Sequence, residues 1–123
     1  MGSIEIKRVY EPCSRGDGER ILVDRLWPRG LRKRDAAIDR WEKDIAPTPL
    51  LRTWFGHRAD RFTEFKRRYR EQLKLNPAVT EILGAIGDRK ATLLYAARDT
   101  AVNHAVVLAE FLKKSAARGP RRK

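Results

Sequence analysis

The chain has 123 residues, 41% hydrophobic and 36% charged, enough for one core under a densely charged surface but not for two domains. No apolar run approaches the ~18–20 residues that a bilayer crossing needs, and the first residues lack the charged-then-apolar layout of a secretory signal, so a cytoplasmic protein with no membrane partner is expected. Lys and Arg total 28 against 16 Asp and Glu, a net +12, but Lys113, Lys114, Arg118, Arg121, Arg122 and Lys123 fall in a stretch without an acid and leave residues 1–112 at +6. The expected division is a mildly basic folded domain over 4–112 and a flexible basic tail over 113–123, able to touch any polyanion without sequence preference.

Ile4, Ile6 and Tyr10 alternate with Glu5 and Lys7, the period of a half-buried strand, and Pro12 with Gly16-Asp17-Gly18 closes the run in turn residues. Ile21-Leu22-Val23 is a continuous apolar run with β-branched ends, as in a central strand covered on both faces. Pro28 and Gly30 then break the chain, and residues 35–45 show no clean period, fitting a helix, a short strand or both. Thr48 before Pro49 reads as a helix N-cap with proline at the first helical position, and Gly56 ends that helix. Asp60 is placed to cap the next one, in which Phe62, Phe65, Tyr69 and Leu73 repeat every three or four residues while Glu64/Arg68 and Arg67/Glu71 stand one turn apart outside. Asn76-Pro77 separates it from a further amphipathic stretch, Ala78 to Ile86, stopped by Gly87. Thr92 to Ala96 gives the third strand, and a last helix over Ala101 to Lys114 aligns Val102, Ala105, Leu108, Ala109 and Leu112. This order implies the α/β class: a single small domain with a small, mainly parallel sheet covered by helices.

Polar residues directly after a buried strand mark the place where open α/β sheets form ligand crevices. The first such segment is Asp24-Arg25-Leu26-Trp27-Pro28-Arg29-Gly30. Its guanidinium groups suit a carboxylate or phosphate, and Asp24 could orient Arg25, accept from a ligand hydroxyl or act as a base; an internal Asp–Arg pair with Trp27 in the core fits equally. The second is Arg98-Asp99-Thr100-Ala101-Val102-Asn103-His104, where free N–H groups at a helix start attract anions. There Arg98, Asp99 and Asn103 could surround a negative group and His104 could move a proton, or serve only in packing. Arg52 adds a further cation. Cys13, the single cysteine, lies in a glycine-rich loop without a base and reads as an incidental thiol; it allows no internal disulfide, and with only His57 and His104 beside it no metal site is argued. His57, in an interhelix connection, is expected to face solvent.

Arg8-Val9-Tyr10, the run Asp17 to Gly30 containing Val-Asp-Arg-Leu-Trp-Pro-Arg-Gly, Ala46-Pro47-Thr48 with Leu51-Arg52, and Thr92 to Leu108 together resemble the YeaO-like branch of a bacterial domain-of-unknown-function family, DUF488, over about residues 4–112. Labels carried by some members, porphyrin methyltransferase and transcription regulator, find no counterpart here, because the chain has neither a glycine-rich strand-to-helix turn for a methyl-donor nucleotide nor a helix-turn-helix. In the longer branch of that family an Asp-x-Arg-x-x-Pro segment and a Cys-His-Arg segment look like counterparts of the two polar segments. On that match Asp24 and His104 keep their types, whereas Asn103 replaces the cysteine and Ala105 the arginine, so a thiol mechanism at this place is not open to the chain.

Taken together, these readings lead to the expectation of a cleft binding a small anion, such as a nucleotide or phosphorylated metabolite. Arg25, Trp27, Arg29, Arg52, Arg98, Asp99 and Asn103 would bind it, and Asp24 and His104 are the acid–base candidates. The sequence assigns no cofactor. The competing reading is a non-catalytic nucleic-acid module using Arg61, Lys66, Arg68, Arg70 and the tail.

Overall fold

Residues 3–117 are described by a computed structural model, in which four strands form one parallel sheet of order β1-β4-β2-β3. The strands are β1 (Ile4–Arg8), β2 (Glu19–Leu22), β3 (Arg40–Trp41) and β4 (Ala91–Tyr95), and the helices are α1 (Lys33–Ala36), α2 (Pro49–Phe55), α3 (Phe62–Lys74), α4 (Ala78–Ile86) and α5 (His104–Ala117). The parallel α/β architecture expected from the apolar runs is therefore present. β4 pairs with β1 from Ile4↔Ala91 to Arg8↔Tyr95 and with β2 from Glu19↔Ala91 to Leu22↔Leu94, so its five residues are all buried.

Several boundaries differ from the sequence reading. β1 stops at Arg8 because the Glu11 amide turns back to the Arg8 carbonyl, which leaves Tyr10 in a turn. Residues 35–45 contain both a helix and a strand: the short β3 exists only through β2, whose Arg20 and Leu22 carbonyls accept from Asp39 and Glu42. Thr48 caps α2, its hydroxyl accepting from the Leu51 amide at 3.3 Å, and Gly56 closes that helix in the left-handed region. Asp60 does not cap α3; it lies in a preceding 3-10 turn, paired with Arg58, and Arg61 takes the cap position without a side-chain bond. Arg67 bonds Glu64 in place of Glu71, joining Arg68 on that carboxylate. α5 begins at His104, three residues later than the pattern suggests, and runs to Ala117, five residues into the segment assigned to the tail; residues 118–123 lie outside those described.

The two faces of the sheet are covered differently. Ile4, Ile21, Val23, Leu93 and Tyr95 bury one face against α2, α3, α4 and α5 in the main core. On the other face, Val9, Leu22 and Leu94 form a small cluster under Trp27, Leu31, Ile38 and Trp41. Beside it the covering is ionic: Asp17 is buried and accepts from Lys7 Nζ at 3.0 Å and from the buried Arg20, whose remaining donors reach the Ala36 and Ala37 carbonyls. Burial alone would raise the Asp17 carboxyl, yet bonds from the Ser14 amide, Lys7, the Ser14 hydroxyl and Arg20 hold it far below the ordinary carboxylate range. Paired in this way, the buried charges retain their hydrogen bonds.

Gly18 is required where this ionic turn enters β2. Its φ is +66°, and a Cβ there would stand 2.3 Å from the Lys90 carbonyl oxygen and 2.7 Å from the carbonyl carbon, the group that receives the Glu19 amide. Gly18→Ala should therefore lower unfolding stability by more than ~1 kcal/mol; an unchanged urea midpoint would contradict this account of the turn.

Candidate functional site

The site begins where β2 runs out. Val23 keeps one ladder bond, its amide donating to the Leu94 carbonyl at 3.1 Å, and Asp24 then leaves the sheet. Trp41 Nε1 donates to the Asp24 carbonyl at 2.7 Å, fixing the backbone, while Asp24 Oδ2 accepts from the Ala96 amide just beyond β4 at 3.0 Å. Arg8, not singled out in the sequence, holds the same β4 exit through bonds to the Ala96 and Ala97 carbonyls.

The second polar segment folds onto this junction. Asp99 Oδ1 accepts from the Ala101 and Val102 amides at 2.8 and 2.9 Å, and Asn103 bridges back to the Asp99 carbonyl while its Oδ1 accepts from Val106 at 3.0 Å. Those bonds build the start of α5 and leave His104 as its first residue. His104 Nε2 then stands 3.0 Å from the Val23 carbonyl and 3.3 Å from Asp24 Oδ1. Its ring packs edge-on against buried Tyr69, whose hydroxyl donates to the Ile45 carbonyl at 2.7 Å.

A carbonyl can only accept, so the hydrogen on Nε2 is directed to Val23. Asp24 Oδ1 lies beside the same N–H but is buried without a hydrogen bond of its own. Burial raises the Asp24 carboxyl above its ordinary value, opposed by His104 and the Ala96 amide. Burial lowers the His104 imidazole, opposed by Asp24 and Val23. Both groups are driven toward their uncharged forms by the same cause, removal from water.

Above this junction opens a cavity of about 340 Å³. Asp24, Arg25, Trp27, Arg29, Arg52 and His104 all line it, so six of the nine candidate residues share one hollow. Arg98, Asp99 and Asn103 are not among its lining residues: Asn103 is buried as a helix cap, Asp99 is occupied by the turn before it, and Arg98 faces solvent. Arg25 spends one guanidinium nitrogen on the Ala46 and Pro47 carbonyls, both at 3.2 Å, tying two walls together. Trp27 packs edge-on against Trp41 with ring centres 5.4 Å apart and donates to Leu31.

Sequence reasoning missed other parts of the lining. His57 lies at the mouth with φ +59°, carried there by the left-handed turn that follows α2. Tyr10 lines the cavity and donates to the Arg29 carbonyl at 2.9 Å, and Phe55 and Phe65, stacked at 4.1 Å, form an apolar wall. Among the described residues no group of three His, Cys, Asp or Glu side chains is arranged to hold a metal ion.

Cations elsewhere are largely occupied. Arg68 and Arg70 pair with Glu64 and Glu110, Arg61 bonds the Trp54 carbonyl and stacks on its ring, and Lys66 lies over Phe62. Arg29 and Arg52, by contrast, are exposed, and their guanidinium groups form no hydrogen bond or ion pair with any described residue.

The family model described as "Inactive DUF488-N3 subclade" matches residues 3–122. The uncharacterised protein YeaO of Escherichia coli is 43% identical over 112 residues, 90% of this chain and 97% of that protein. The uncharacterised protein Rv3073c of Mycobacterium tuberculosis and a protein of Mycobacterium bovis are each 43% identical over 109 residues, 89% of this chain and 92% of theirs. No solved structure shows significant similarity.

If Asn103 serves α5 and not the cavity, Asn103→Ala should cost ~1 kcal/mol of stability, the usual loss for an N-cap, with ligand-independent melting as the readout. Wild-type melting would contradict the capping role.

Proposed function

The chain belongs to the inactive DUF488-N3 subclade, and on that premise we propose that it is a binding module whose strand-end cavity takes a small organic anion. The observation that carries this reading is the pair of guanidinium groups, Arg29 and Arg52, unpartnered among the described residues and brought from separate segments to one mouth beside His57. A guanidinium fork matches a carboxylate or phosphate, and the partly apolar surroundings make such a contact stronger than it would be in open water. Asp24 is the single carboxylate among the described lining residues, and burial moves it toward neutrality, so it opposes an incoming anion weakly.

Binding without turnover is favoured by how the acid–base candidates are used. The His104 N–H is committed to the Val23 carbonyl, and Asp24 Oδ2 to the Ala96 amide. Asn103, which stands where the resemblance puts a cysteine, offers no nucleophile and is consumed by capping. Ala105, where it puts an arginine, is buried. The nucleic-acid reading has less support, because the cations of α3 are turned to internal partners.

Calorimetric titration with phenyl phosphate, with phenol as the neutral control, tests the proposal. The phosphate should bind, binding should weaken with added salt, and Arg29→Ala or Arg52→Ala should each reduce affinity by about tenfold, the loss of one charge-assisted hydrogen bond, while melting temperatures hold. Equal affinity for phenol, or variants that bind as well as wild type, would overturn it.

A further inference from the structure

The two ends of the cavity have opposite chemistry. Arg29, Arg52 and His57 are exposed and so form its mouth, whereas Asp24 and His104 have side chains only 18% and 17% accessible and form its floor. Between them lie Phe55, Phe65, Trp27 and Pro28. Simple anion capture explains the mouth but not the floor.

At the floor, one acceptor is left over. Asp24 Oδ2 has the Ala96 amide, but Oδ1 has no donor: the His104 hydrogen goes to Val23, and Arg25 donates through one terminal nitrogen to Ala46 and Pro47 while its Nε is itself buried without a partner. Buried polar atoms in folded proteins are almost always satisfied, and an exception in the lining of a cavity points to a group supplied from outside the chain. A carboxylate oxygen can take only a donor unless it carries a proton itself. A compact inorganic anion cannot supply one at the floor while it holds the arginines at the mouth.

Building on the anion-binding reading, we propose that the ligand is bipolar: a carboxylate or phosphate held by Arg29 and Arg52, an apolar ring body against Phe55 and Trp27, and an N–H or O–H group that donates to Asp24. The floor then sets specificity and the mouth supplies most of the attraction. An analogue of equal shape and charge that lacks the donor forgoes the bond to the Asp24 oxygen and binds more weakly.

Titration with two probes, indoleacetate, which has a ring N–H, and naphthaleneacetate, which has none, separates the two claims. At mildly alkaline pH wild type should prefer indoleacetate by about tenfold or more, the difference expected for one hydrogen bond to a charged group. Asp24→Asn, whose amide oxygen can keep the Ala96 bond but whose nitrogen cannot accept, should bring the two affinities within about twofold of each other. Arg52→Ala should weaken both probes equally. Equal wild-type affinities, or a preference that persists in Asp24→Asn, would overturn the donor requirement while leaving the anion site standing. Failure of both probes to bind wild type would overturn both. Melting curves establish that Asp24→Asn is folded, and were it not, the wild-type comparison alone decides.

Discussion

Everything at the open end of this molecule depends on one knot of hydrogen bonds where β2 and β4 end and α5 begins. The Val23 carbonyl receives His104, the Asp24 carboxylate receives the Ala96 amide, and the Asp24 carbonyl receives Trp41. Each bond contributes only ~0.5–1.5 kcal/mol net, but together they fix where two strands separate and at what angle the chain leaves them. With Arg8 holding Ala96 and Ala97 from the β1 side, the gap between the strand ends has a defined floor. The same side chains that look like an acid–base pair in the sequence also hold this junction together, and their burial follows from that position.

The unequal covering of the sheet explains why the hollow is at this end. Four helices close one face. On the other, the Lys7, Asp17 and Arg20 ion cluster closes one part, and the segment carrying Trp27, Leu31, Ile38 and Trp41 closes another. Arg25 reaches from that segment to Ala46 and Pro47, holding it near the start of α2. The cavity lies between these coverings, and the charges that approach it from α2 and the Trp-Pro-Arg turn find no partners among the described residues. Burial costs fall on the floor and solvation favours the mouth, which is the division between Asp24 and the arginines.

The sequence made legible those features that each segment determines for itself. Ile21-Leu22-Val23 and Thr92 to Tyr95 read as strands because both faces are buried, and the threonine and proline before α2 cap it as their chemistry dictates. The coincidence of Asp24, Arg25, Arg29 and His104 in one hollow was also open to expectation, since strand ends in parallel sheets converge. What depends on a distant partner was not legible. The two residues of β3 are a strand only because β2 offers them bonds, and Tyr10 and His57 reach the cavity through a turn and a left-handed bend whose direction tertiary packing sets. Asn103 shows a different failure: an amide at a helix start suits a ligand and a cap equally, and the bond to Val106 decides for the cap.

The protonation of His104 probes the central junction most directly. Nitrogen-detected magnetic resonance of the labelled imidazole, followed across the acid side of neutrality, reports both its charge and which nitrogen bears hydrogen. With the ring buried and its N–H given to Val23, it should remain neutral at its ordinary titration point of 6.5 and below, with the hydrogen on Nε2. A ring that charges at or above 6.5, or that carries its hydrogen on Nδ1 when neutral, would contradict the account.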